Sequence, residues 1–116
     1  MSDTLHSRKP PVQARALQAA GIAIALASGV RTPLRSIAEQ LIRAAASVPA
    51  NVTEGQGRAG KDRLYHWRIA YGSAREVEVH LGLLLEAGAV DRERAAEALG
   101  LFDQVRAMLW RMMHPR

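Results

Sequence analysis

Four stretches of this chain repeat apolar residues every three or four positions, and none sustains the period-two alternation that a half-buried strand needs. Short breaks, the middle one rich in Gly, separate them. A chain so patterned can bury its apolar stripes only by laying helix against helix. The short connections predict an all-α, antiparallel up-down-up-down four-helix bundle. Its 116 residues, 48% of them hydrophobic, fit one domain with its own core. Residues 1–11, MSDTLHSRKPP, are polar and basic and end in a Pro pair, so they read as a flexible tail ahead of a bundle domain over 12–116.

The first helix is expected over Val12 to Ser28, closed by Gly29 in a left-handed cap. Its segment Ala19–Ala27 is apolar on every side and imitates a signal peptide, but a buried helix fits better. It is too short to cross a membrane, which takes about 20 apolar residues. Thr32-Pro33 reads as the start of the second helix, a hydroxyl cap followed by Pro at the first helical position. Its stripe passes through Pro49, which predicts a kink or brief break there, and stops at Gly55. Gly55, Gly57 and Gly60 form the connector, with Gly55 and Gly57 expected in left-handed or strained backbone angles. Asp91 caps a fourth helix that runs to about Met113.

The third helix, about Lys61 to Ala87, is apolar nearly all round. Trp67, Tyr71, Ala74, Leu81 and Leu85 line one face, whereas Ile69, Val79 and Leu83 fall on the opposite side. In a bundle of this size the second burial points to another subunit, with Ile69, Val79 and Leu83 as the candidate interface. The competing reading is three scattered surface apolars.

Polar residues interrupt these stripes. Gly72 and Ser73, in mid-helix, suggest close approach of another helix. Glu78 projects into the apolar face and calls for a partner, for which Arg43 or Arg58 is the natural candidate. Glu54 and Glu76 are placed to serve Arg58 or free amide groups near the connector. These residues read as a structural network rather than an active site.

Chemistry is otherwise thin. The absence of Cys excludes disulfides, thiolate zinc sites and a cysteine nucleophile, and is compatible with a reducing, cytoplasmic compartment. Glu76 and His80 stand four apart, but no Glu-x-x-His pair of the di-metal bundles occurs. No nucleophile elbow or P-loop is present. The expectation is a non-enzyme with no cofactor and no metal.

The net charge is +5, and all of the 16 cationic side chains but Lys9 and Lys61 are arginine. Lys61, Arg68 and Arg75 recur every seven residues along the third helix, with Arg63 near the start. They form a basic stripe that could meet the phosphates of RNA or DNA. The other reading is a solvated face paired with Asp62 and Glu86.

The segment from Arg43 to Ala87 carries the pattern R-A-x-x-S-[IV]-x-x-N-[IVL]-[AT]-E-G-x-G-R, an aromatic turn of helix, then [IL]-A-x-G-S-x-x-E. Here Arg43, Ala44, Ser47, Asn51, Glu54, Gly55, Gly57, Arg58, Ala70, Gly72, Ser73 and Glu76 supply it. The chain thereby resembles the four-helix-bundle family of ribosomal-RNA (23S rRNA) intervening-sequence proteins. It is similar also to the accessory variability proteins of diversity-generating retroelements. Thr53 stands where alanine is commoner, and His66-Trp67 supplies the aromatic turn. The resemblance implies a homo-oligomer, in the form of a pentamer, whose basic surface engages nucleic acid and a reverse transcriptase. The alternative, from a different class, is a protein-interaction scaffold that binds no nucleic acid.

Overall fold

The computed structural model describes residues 11–116 as four helices joined by short turns. Helix α1 spans Val12–Ser28, α2 Arg35–Gln56, α3 Gly60–Glu86 and α4 Arg92–Met113. No strand occurs among the described residues. Of the tail expected over 1–11, all but Pro11 lies outside the described residues.

Local chemistry explains the boundaries, not always as expected. Asp91 accepts the Arg94 N–H at 2.9 Å and Glu93 follows in the first turn, so α4 opens on a carboxylate cap. Thr32-Pro33, in contrast, does not open α2. It lies in the preceding turn, where Leu34 N–H bonds Arg31 O at 2.9 Å, and Leu34 O then accepts Ile37 and Ala38. Gly29 caps α1 with φ of −88°, in the ordinary right-handed region and not the left-handed one. Helix α2 runs unbroken through Pro49. Left-handed angles occur instead at Gly60, φ +60°, where the chain turns into α3, and at Gly88, φ +73°, where it leaves.

Helix α1 packs on α2 and α4, and α3 packs on the same two, so the four close into a ring around one core. Leu41, Val48 and Val52 of α2 are fully buried there, with Val77, Leu81 and Leu84 of α3 and Phe102, Val105 and Leu109 of α4. Helix α1 contributes Ala16, Ala19, Ala23 and Ala27, all without exposed surface. Side chains this small let the helix axes approach closely. Each Å² of apolar surface so removed contributes roughly 25 cal/mol. The outer face of α1 is not buried as its all-round apolar sequence suggested: Leu17, Gly21 and Ala25 are exposed. No helix of the described residues is long and apolar enough to cross a membrane.

Candidate nucleic-acid interface

The site is built on the corner where α2 turns into α3. The last carbonyls of a helix lack partners within it. Here Arg63 reaches back and its Nε donates to Gly55 O at 3.0 Å, its Nη2 to Gln56 O at 3.2 Å. Its guanidinium carbon also sits 5.3 Å above the Trp67 ring. A cation at this end of α2 is favourable for the helix dipole as well. Arg63 is therefore removed from the outward basic set in which its sequence position placed it. Half-buried at the corner, it caps α2.

Gly55 is buried against the same indole. A Cβ added there would fall on Trp67 Cδ1 and Nε1, well inside contact distance. Close approach, not backbone angle, thus requires this glycine, because it lies within helical backbone. Gly57 also departs from expectation, with φ of −84°. Trp67 completes the corner by donating from Nε1 to Val52 O at 3.2 Å.

One turn further in, a polar inlay ties α2 to α3. Ser73 Oγ donates to Ser47 Oγ at 2.9 Å, and Asn51 Nδ2 donates to Ser47 O and Oγ at 3.0 and 3.1 Å. Asn51 Oδ1 meets His66 Nδ1 at 2.9 Å, so that ring nitrogen carries the proton. Hydrogen bonds thus link three residues of the sequence motif, Ser47, Asn51 and Ser73, and His66 of the aromatic turn is the fourth member of the group. The only sequence signal for it was its place in the aromatic turn. Gly72 does not mark a close helix within the chain: it is exposed, and nothing lies within 4 Å of an added Cβ.

The expected partners of Glu78 are also corrected. Arg43 is exposed beside Gln40, Glu76 and His80 on a shallow cleft between α2 and α3. Arg58 is exposed and pairs with Glu54 at 2.8 Å, as the spacing of four favours. Glu78 pairs instead with Arg106 of α4, whose Nε lies 3.0 Å from Glu78 Oε2 in an ion pair rather than an aligned hydrogen bond. Arg106 Nη2 donates to Asp103 at 2.9 Å. Burial works to lower the Arg106 pKa, but Glu78, Tyr71 and Asp103 together outweigh it and the net shift is upward. Arg106 sits between Phe102 and Leu109, two residues of the apolar stripe of α4, and that interruption was the overlooked sign.

Lys61, Arg68 and Arg75 are all exposed on α3, and none forms an ion pair among the described residues. Asp62 and Glu86, the carboxylates that might have neutralised them, likewise enter no pair there. The outward face of α3 carries the expected interface residues too. Val79 is 60% and Leu83 51% exposed, and Ile69 is half-buried. Cations and apolar residues divide that face by length. Cationic side chains stand at positions 61 to 75 and the large exposed aliphatics at 79 and 83, a span of roughly 33 Å in all.

Among the described residues no three His, Asp or Glu side chains gather as metal ligands. Glu76 and His80 share the shallow cleft with Arg43.

The chain is similar in fold to a solved protein of unknown function from the S23 ribosomal protein family of Bacteroides thetaiotaomicron, with a TM-score of 0.80 and 21% identity. The match covers 89% of this chain and 98% of that one. No curated protein matches the sequence. The model of the 23S rRNA-intervening sequence proteins matches residues 13–111. That span holds nearly all of the four helices, the corner and the inlay, and by it the chain belongs to the 23S rRNA-intervening sequence protein family.

Proposed function

We propose that this protein is a non-enzymatic, cytoplasmic subunit of a homo-oligomer that binds RNA or DNA through the outer face of α3. The observation that carries the reading is the charge of Lys61, Arg68 and Arg75 on one exposed stripe, unpaired among the described residues. Such a stripe meets phosphates whatever the base sequence, by releasing counterions. The subunit is an antiparallel up-down-up-down bundle, bent at Pro49. The partner order supports the antiparallel run of α2 against α3, since Ser47 faces Ser73 while Asn51 faces His66. Val79 and Leu83 supply the contact between copies, and their exposure supports assembly into a ring, a pentamer by family resemblance. Repeating the stripe around a ring raises avidity without new contacts. The family resemblance also supports a role as accessory factor to a retroelement reverse transcriptase.

The test is a mobility-shift or anisotropy titration with labelled single-stranded RNA at low and moderate salt. The protein should bind, weaken steeply with salt, and lose most affinity in a Lys61→Ala/Arg68→Ala/Arg75→Ala variant. The salt slope should fall by about 2 for three lost contacts on a single strand. Arg63 is left out of that variant because it caps α2. A second reading, a protein-interaction scaffold without nucleic acid, draws on the same exposed Val79 and Leu83. Absence of any shift at low salt would favour it.

A further inference from the structure

A cleft of about 460 Å³ lies between α3 and α4, lined by Tyr71, Asp103, Arg106, Ala107, Trp110 and Arg111. Its rim carries an unusual residue for open surface. Trp110 is 51% exposed, although an indole ordinarily contributes by being covered. The ring is also held in place. His114 stacks on one of its faces, 4.0 Å between centroids and 18° from parallel, and His114 Nδ1 donates to Trp110 O at 2.8 Å. The opposite wall has Tyr71, above which the Arg106 guanidinium sits at 5.8 Å. Arg106 faces two carboxylates, Glu78 and the largely exposed Asp103, so this wall is net negative and any phosphate must be held from the rim of the cleft.

Free charge surrounds the cleft. Arg111 is exposed on α4 and enters no ion pair among the described residues. On α3, Arg68 and Arg75 stand three residues before and four after Tyr71, which places them on the turns either side of it. The basic stripe therefore borders the aromatic cleft. An aromatic platform flanked by unpaired cations is complementary to a polymer that is both anionic and aromatic.

We propose that the α3–α4 cleft binds an unpaired base of a single-stranded nucleic acid, with Trp110 as the stacking platform and Arg68, Arg75 and Arg111 as its phosphate contacts. This rests on the reading of the protein as a nucleic-acid binder and adds a location and a strandedness to it. Cations alone hold single strands and duplexes alike. A stacking platform adds affinity only where a base face is free, which a duplex does not offer.

The experiment compares a labelled 15-nucleotide oligothymidylate with a duplex of equal length at low salt, by fluorescence anisotropy, with the mass of the protein followed by light scattering. Trp110→Leu should weaken single-strand binding roughly five- to a hundredfold, leave duplex binding within about twofold, and leave the mass unchanged. Trp110→Tyr should restore most of the loss, and Arg68→Ala/Arg75→Ala/Arg111→Ala should weaken both forms. Equal losses on both nucleic acids, or no loss on the single strand, would overturn the proposal. So would a changed mass, which would make the cleft a contact between copies of the chain. If the unaltered protein binds both forms and is indifferent to Trp110, only this proposal fails. If it binds neither, the nucleic-acid reading fails with it.

Discussion

The indole of Trp67 occupies the space that a side chain at position 55 would need, so Gly55 and Trp67 form one fitted pair across the α2–α3 corner. Both rings of the consequence can be measured. Gly55→Ala must displace a buried Trp that donates to Val52 O, and overpacking of this kind costs about 1–3 kcal/mol. Gly72→Ala is the matched control, an exposed mid-helix glycine with open space around it. It should raise stability by up to about 1 kcal/mol through helix propensity alone. Urea unfolding of the two variants should give opposite signs, and a neutral Gly55→Ala would remove the packing explanation.

Arg63 and Arg68 are about 1.4 turns apart on α3 and so stand on different faces of it, with different work. Arg63→Ala removes the side-chain donor of Gln56 O, leaves Gly55 O with the Arg58 N–H alone, and uncovers the Trp67 ring, for an expected loss of about 1 kcal/mol. Arg68→Ala, at an exposed unpaired site, should stay within roughly 0.5 kcal/mol. Nucleic-acid affinity should show the reverse order. Thermal melts alongside titrations check both, and equal melting of the two variants would deny Arg63 its capping role.

The inlay predicts a coupling. Asn51 and His66 meet at 2.9 Å across the α2–α3 interface, and neither is fully exposed. Asn51→Ala and His66→Ala should each destabilise the fold, while the double variant costs less than their sum by about 0.5–1.5 kcal/mol. Additive losses in the cycle would show that the contact contributes nothing of its own.

What could be read ahead followed from periodicity and from local caps. The bounds of α1, the Asp91 cap and most of the core stripes are short-range properties, set by helical period and by side chains within one turn. Partners across the bundle were not legible. The apolar face of α3 says that Glu78 needs a partner, for which Arg43 or Arg58 is the natural candidate from sequence, yet its partner is Arg106 on α4. Helix spacing says which face a residue occupies but not which residue of another helix lies opposite. The same gap hid His66 from Asn51. Arg63 is a different case: nearness in sequence groups it with Lys61, but at about 100° per residue it lies about 200° round α3 from Lys61, on the side of Trp67. The α3–α4 cleft depends on the register of two helices 30 to 40 residues apart, so only Trp110, off the apolar stripe of α4, hinted at it.

The last prediction concerns Val79 and Leu83, which stay largely exposed although both are aliphatic. Fully burying such side chains is worth about 1.5–3 kcal/mol each. Around a ring every subunit would gain that stabilisation at both of its contacts only if the patch meets a different surface on its neighbour. A charge at either site would have to be buried unpaired in that contact, at a cost the gain from one residue does not offset. Val79→Glu/Leu83→Glu should therefore dissociate the assembly to monomers, while the helical signal is kept, since neither residue reaches the core of its own bundle. Sedimentation or light scattering at several concentrations decides it. An unaltered mass would move the contact elsewhere, with the exposed Leu17 of α1 the next position to charge.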